Sequence, residues 1–89
     1  MAGKEFTVGD LRRILIAAAG EGEGVSLDGD TLDSNFEDLG YESLALLETG
    51  SRIERELGIM IEDSALAISA TPRNLIDTVN HCLATPRTR

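Results

Sequence analysis

Ser43 is the residue best placed to do chemistry in this sequence. It stands where a long acidic stretch meets the start of a helical pattern, so its hydroxyl should be accessible. The partial positive charge at a helix N-terminus would favour an anion attached there, and a phosphodiester on this oxygen would be tolerated. The plainer alternative is a serine that caps the helix with its side chain. Nucleophilic catalysis would need a base, and the one histidine, His81, lies near the end of the last helical pattern. No Gly-x-Ser-x-Gly string surrounds the serine either. His81 reads as a solvent-facing residue complementing the negative end of its helix.

Other chemistry is excluded more sharply. Cys82 is the only cysteine, so neither an intrachain disulfide nor a cysteine-based zinc site can form, and it reads as a partly buried apolar filler. Residues 28–33 begin like a calcium loop, but Leu32 falls on a ligand position and Asp33 where glycine is required. The glycines of 20–24 lack the Gly-Lys-Ser/Thr of a phosphate loop, and their glutamates would repel phosphate. No metal site is expected.

The elements that must position Ser43 follow from composition and period. A chain of 89 residues holds one domain, and with 3% aromatic residues and no tryptophan an all-α bundle is favoured over a β-sandwich. Thr7 and Asp10 suggest a capping box, opening a helix through Ala19 that stops at Gly20, with Val8, Leu11, Leu15 and Ala18 on one stripe. Residues 20–42 hold five of the nine glycines and read as a long loop, pinned to the core by Leu27, Leu32, Phe36 and Leu39. A second helix should run from a Ser43 cap to Leu57 and close at Gly58, with Leu46, Gly50, Ile53 and Leu57 inward. Asp63 or Ser64 would cap a single turn around 65–68. Thr71-Pro72 starts a last helix running to Leu83, with Leu75, Ile76, Val79 and Leu83 inward. Residues 1–5 and 85–89 read as frayed ends of a single domain over 1–89. The expected fold is thus a small all-α bundle of three longer helices and one short helix, with a long first loop.

Charge sharpens the picture. The chain carries 16 acidic and 8 basic residues, a net charge of −8, which disfavours nucleic acid and anionic membranes and favours a basic partner. Between 21 and 51 there are nine acids and no Lys or Arg, so the negative field is concentrated around Ser43. Leu44 and Leu47 lie off the core stripe of the second helix, beside Glu48. They read either as a docking surface or as an ordinary pair of which one packs beneath the loop. With no apolar run of spanning length, and no signal peptide in 1–10, a cytoplasmic monomer is expected.

The string Asp38-Leu39-Gly40-Tyr41-Glu42-Ser43-Leu44-Ala45-Leu46-Leu47-Glu48 closely resembles the phosphopantetheine attachment motif of acyl carrier proteins. That family usually has Asp before the serine, whereas this chain has Glu42. The resemblance covers nearly the whole chain, including the acidic loop and the Thr71-Pro72 start. Gly-Tyr before the acid and Ser-Leu-Ala-Leu-Leu-Glu after it look most like the discrete carriers of bacterial aromatic (type II) polyketide synthases.

That resemblance implies a non-catalytic carrier with 4'-phosphopantetheine on Ser43, holding polyketide intermediates and malonyl-type extender units as thioesters. It implies as partners a phosphopantetheinyl transferase, a ketosynthase with its chain-length factor, a malonyl acyltransferase, and a ketoreductase or cyclases. Glu37, Asp38, Glu42 and Glu48 would meet their basic rims, and Leu44 and Leu47 would make the apolar contact. Arg12 and Asn80, polar residues on apolar stripes, could line a cleft that shelters the chain. Alternatively, Arg12 extends to water and Asn80 bonds to backbone. Two other functions compete: an acidic helical adaptor docking through Leu44 and Leu47 without a prosthetic group, and a fatty-acid-type carrier.

Overall fold

A computed structural model describes residues 5–19 and 31–84. Three α-helices, α1 (Val8–Ala19), α2 (Ser43–Leu57) and α3 (Pro72–Ala84), are joined by loops, with a single 3₁₀ turn (Asp63–Leu66) between α2 and α3. There is no strand among the described residues, so the expected all-α bundle is what forms. The expected stop at Gly20, the pinning role of Leu27 and the ends at 1–4 and 85–89 lie outside the described residues.

Local signals set most helix boundaries. The Thr7 amide donates to Asp10 Oδ2 at 3.0 Å and the Asp10 amide to Thr7 Oγ1 at 3.2 Å, the reciprocal pair of a capping box. At the start of α3 the Asn74 amide donates to Thr71 Oγ1 at 3.1 Å, while Pro72 occupies the first helical position, where no amide hydrogen is needed. Gly58 ends α2 at φ +69°, its amide donating to the Glu54 carbonyl at 2.8 Å. Only glycine takes up that left-handed conformation at little cost.

The core is built from one face of each helix plus the irregular segments between them. Leu11, Ile14 and Leu15 of α1, Leu46 and Ile53 of α2, and Leu75 and Val79 of α3 are buried together in one cluster. Ile14 belongs to the α1 stripe at i+3 from Leu11, and it is more deeply buried than the expected Val8 and Ala18. Ile76 and Leu83 are half-buried rather than fully inward. Gly50 explains its own presence in a helix interior: a Cβ there would overlap the side chain of Leu66. The missing side chain is what lets the 3₁₀ turn lie against α2.

One segment departs from the expected turn pattern. The short turn spans Asp63–Leu66 rather than 65–68, preceded by Glu62 with no side-chain cap. Ser64 Oγ donates instead to Glu62 Oε2 at 3.1 Å. The approach to this turn is held from α2, because Glu54 Oε2 accepts the Ile61 amide at 2.8 Å.

Asn80 secures the other end of the bundle. Its Oδ1 accepts the Phe6 amide at 2.7 Å and its Nδ2 donates to the Phe6 carbonyl at 3.0 Å, so the chain ahead of α1 is clamped to α3. Removing the clamp leaves a part-buried donor and acceptor to find water. Asn80→Ala is expected to lower the stability by about 2 kcal/mol, read as a shift in the urea midpoint.

Candidate functional site

Ser43 is exposed and is the first helical residue of α2. It does not cap the helix, contrary to the sequence expectation. The cap position belongs to Glu42, with extended backbone at φ −98° and ψ 160°, and Glu42 makes no side-chain cap hydrogen bond. The first helical bond runs from the Leu46 amide to the Glu42 carbonyl at 3.1 Å. Ser43, Leu44 and Ala45 therefore point amides out of the helix end with no side chain returning to them. The Ser43 hydroxyl has no hydrogen bond among the described residues. A serine displaced from capping, at an uncapped helix start, leaves both its oxygen and nearby amides available to a phosphate.

The segment leading into Ser43 is irregular but fixed. Phe36 is fully buried, and Tyr41, 8% exposed, packs edge-to-face against it with ring centroids 6.0 Å apart. Leu39 is buried and Leu32 half-buried, so these three of the four pinning residues do hold the loop down. Backbone bonds tie the same segment to the entrance of α3. The Phe36 amide donates to the Ala70 carbonyl and the Glu37 amide to the Ile68 carbonyl, each at 2.9 Å. The Arg73 amide donates to the Leu32 carbonyl at 3.0 Å. Arg73 also grips the Asp33 carboxylate with Nε at 2.7 Å and an Nη at 3.3 Å. That hydrogen bonding holds the Asp33 carboxyl below its ordinary range.

The face around Ser43 combines acids and bare leucines. Leu44 is 75% exposed and Leu47 56%, so neither packs beneath the loop. Glu37, Asp38, Glu42 and Glu48 are exposed too. Glu48 is already paired within α2, accepting from Arg52 Nε at 3.1 Å. It offers a partner less unopposed charge than its neighbours do. A cleft of about 500 Å³ opens beside the serine, between the end of α1 and the start of α2. Ala18, Tyr41, Glu42, Leu44, Ala45 and Glu48 form its walls.

The structure does not bring Arg12 and Asn80 to this cleft. Arg12 is exposed on α1, and both polar ends of Asn80 are committed to the Phe6 backbone. His81 is exposed, and Cys82 is half-buried with Sγ 3.3 Å from the Met60 carbonyl. No group of His, Cys, Asp and Glu able to hold a metal occurs among the described residues. No described helix is long and apolar enough to cross a membrane. Sequence reasoning missed Tyr41 as part of the site. Its position two residues before Ser43 was visible, but burial in an irregular loop has no period to reveal it.

Comparison with known proteins agrees with this geometry. Residues 13–79 match the family model described as "Phosphopantetheine attachment site". The chain is 55% identical over 87 residues to the monensin polyketide synthase acyl carrier protein of Streptomyces virginiae, covering 98% of each. It is 57% identical over 75 residues to the granaticin polyketide synthase acyl carrier protein of Streptomyces violaceoruber, covering 84% of this chain and 88% of that one. Among solved structures, it is similar to the 3,5-dioxohexyl form of the acyl carrier protein of the Streptomyces coelicolor actinorhodin polyketide synthase. That likeness has a TM-score of 0.78 at 49% identity, covering 94% of this chain and 96% of that one.

Proposed function

For a chain that belongs to the phosphopantetheine-attachment family as an acyl carrier protein, we propose that the arm is attached to Ser43 and that the cargo belongs to an aromatic polyketide pathway. The protein is a non-catalytic carrier of acyl groups, and its family carries covalently attached 4'-phosphopantetheine. The observation that carries the assignment of Ser43 is its exposed hydroxyl, released from capping at an uncapped helix start. Arm attachment joins the Ser43 oxygen to the phosphorus nearest pantetheine in coenzyme A. It releases adenosine 3',5'-bisphosphate, with the serine proton passing to the transferase. The arm then supplies a thiol on which acyl groups are held as thioesters.

This chain's own contribution is presentation. Leu44 and Leu47, both just after the attachment point on α2, give partners an apolar contact, and Glu37, Asp38 and Glu42 give them a negative rim. The partners this fits are the phosphopantetheinyl transferase, the ketosynthase with its chain-length factor, the malonyl acyltransferase, and a ketoreductase or cyclases, all in the cytoplasm. Exposed ion pairs of this kind contribute at most about 1 kcal/mol each, so docking is weak enough to be exchanged from one enzyme to the next. Tethering raises the local concentration of the acyl group at each active site without tight binding. One carrier domain over 1–89 suffices for this role.

Intact mass before and after incubation with coenzyme A, magnesium and a broad-specificity phosphopantetheinyl transferase tests the reading. A gain of one phosphopantetheine is expected. An unmodified chain would overturn it, unless Glu42→Asp restores the gain and places the defect in that one methylene.

A further inference from the structure

We propose that Tyr41 is a hydrogen-bond donor for a neutral carbonyl of the tethered arm, in the cleft between the end of α1 and the start of α2. This deepens the reading of Ser43 as the attachment site and rests on it. Glu42 and Leu44, the residues on either side of Ser43, both line that cleft, so a group on the serine oxygen starts at its edge.

Tyr41 is more than nine-tenths buried, yet its phenol makes no hydrogen bond among the described residues. No fully buried side-chain oxygen or nitrogen among them lacks a partner. The phenol oxygen therefore lies on the small part of Tyr41 that remains accessible, and Tyr41 is part of the cleft wall. A phenol left without a partner at the rim of a core is available to a ligand. The ring is held in place by Phe36, and its own amide donates to the Phe36 carbonyl at 3.0 Å. Burial pushes the phenol pKa up, so it stays a donor at neutral pH.

The walls select the acceptor. Ala18, Leu44 and Ala45 are apolar, whereas the Glu42 carboxylate accepts hydrogen bonds and repels anions, and Glu48, already paired with Arg52, adds a smaller negative contribution. No Lys or Arg lines the cleft among the described residues. A carboxylate such as that of a malonyl group is disfavoured, and an uncharged carbonyl is the group that fits. Both the amides of pantetheine and the oxo groups of a growing chain have this chemistry.

The chain holds one tyrosine and no tryptophan, so 13C-tyrosine labelling gives a single Cζ signal. Apo, holo, butyryl and 3-oxobutyryl proteins are compared by NMR at neutral pH, with intact mass confirming each loading beforehand. A failed attachment is thus seen separately from a failed cleft. A Cζ shift with contacts from the arm to the Ala18 and Ala45 methyls already in the holo form identifies an amide as the acceptor. The same change only with 3-oxobutyryl, and not butyryl, identifies the chain's oxo group. Tyr41→Phe keeps the packing on Phe36 and removes one hydrogen bond, so the docked population is expected to fall about fivefold. An unchanged Cζ signal in all four forms, or contacts that persist undiminished in Tyr41→Phe, would overturn the proposal.

Discussion

Ser43→Ala is expected to abolish loading completely while leaving the fold as stable as before. The first half follows from chemistry, because no other group can form the phosphodiester at this position. The second half follows from Ser43 occupying the first helical position with its hydroxyl unbonded. Alanine is a better helix former than serine, so the unfolding free energy should stay within about 0.5 kcal/mol of the parent. Had the serine been a cap, its loss would cost about 1 kcal/mol, which lowers the melting temperature of a domain this size by about 4–8 °C. Mass spectrometry and a thermal melt on the same preparation read both halves. Loading of the alanine variant would remove Ser43 from its role, and a marked drop in melting temperature would contradict the uncapped helix start.

The largest effect on the fold is expected from Phe36→Ala. The ring is completely buried, supports Tyr41 edge-on, and sits where the pre-serine loop crosses to α3. Truncating a buried phenylalanine typically costs about 3–5 kcal/mol. The whole domain is worth roughly 4–13 kcal/mol by its length, so the variant should lose a large share of its stability and sit close to unfolding at the lower end. Urea titration would show the midpoint falling with little change in slope. A midpoint near that of the parent would mean that the loop, and with it Tyr41, is not part of the cooperative core.

What the sequence made legible was what is written locally. The Thr7–Asp10 box, the Gly58 stop and the Thr71-Pro72 start are each written in at most four consecutive residues, and each lies within a residue of its expected place. The exposed pair Leu44 and Leu47 was legible for a similar reason, since helical period assigns them to a face of their own. Ser43 stood out through the string around it, but its position in the helix did not. Whether a serine caps a helix or begins it depends on one backbone rotation at Glu42, to which composition is blind. Asn80 shows the limit most clearly. Its partner, Phe6, is 74 residues away, and nothing around either residue announces the other. The Glu48–Arg52 pair carries a local i,i+4 signal, which the uniform acidity ahead of Arg52 obscures.

The ties between the pre-serine loop and the entrance of α3 also set an order of events during synthesis. Residues 32, 36 and 37 bond to residues 68, 70 and 73, all of which leave the ribosome later than Ser43 itself. Until they arrive, the loop lacks its three backbone hydrogen bonds to the entrance of α3. A nascent chain can therefore form α1, and even the body of α2, without displaying the serine in its finished setting. That setting is complete only on a chain translated through the start of α3. A chain truncated before that point carries the serine without the surface around it.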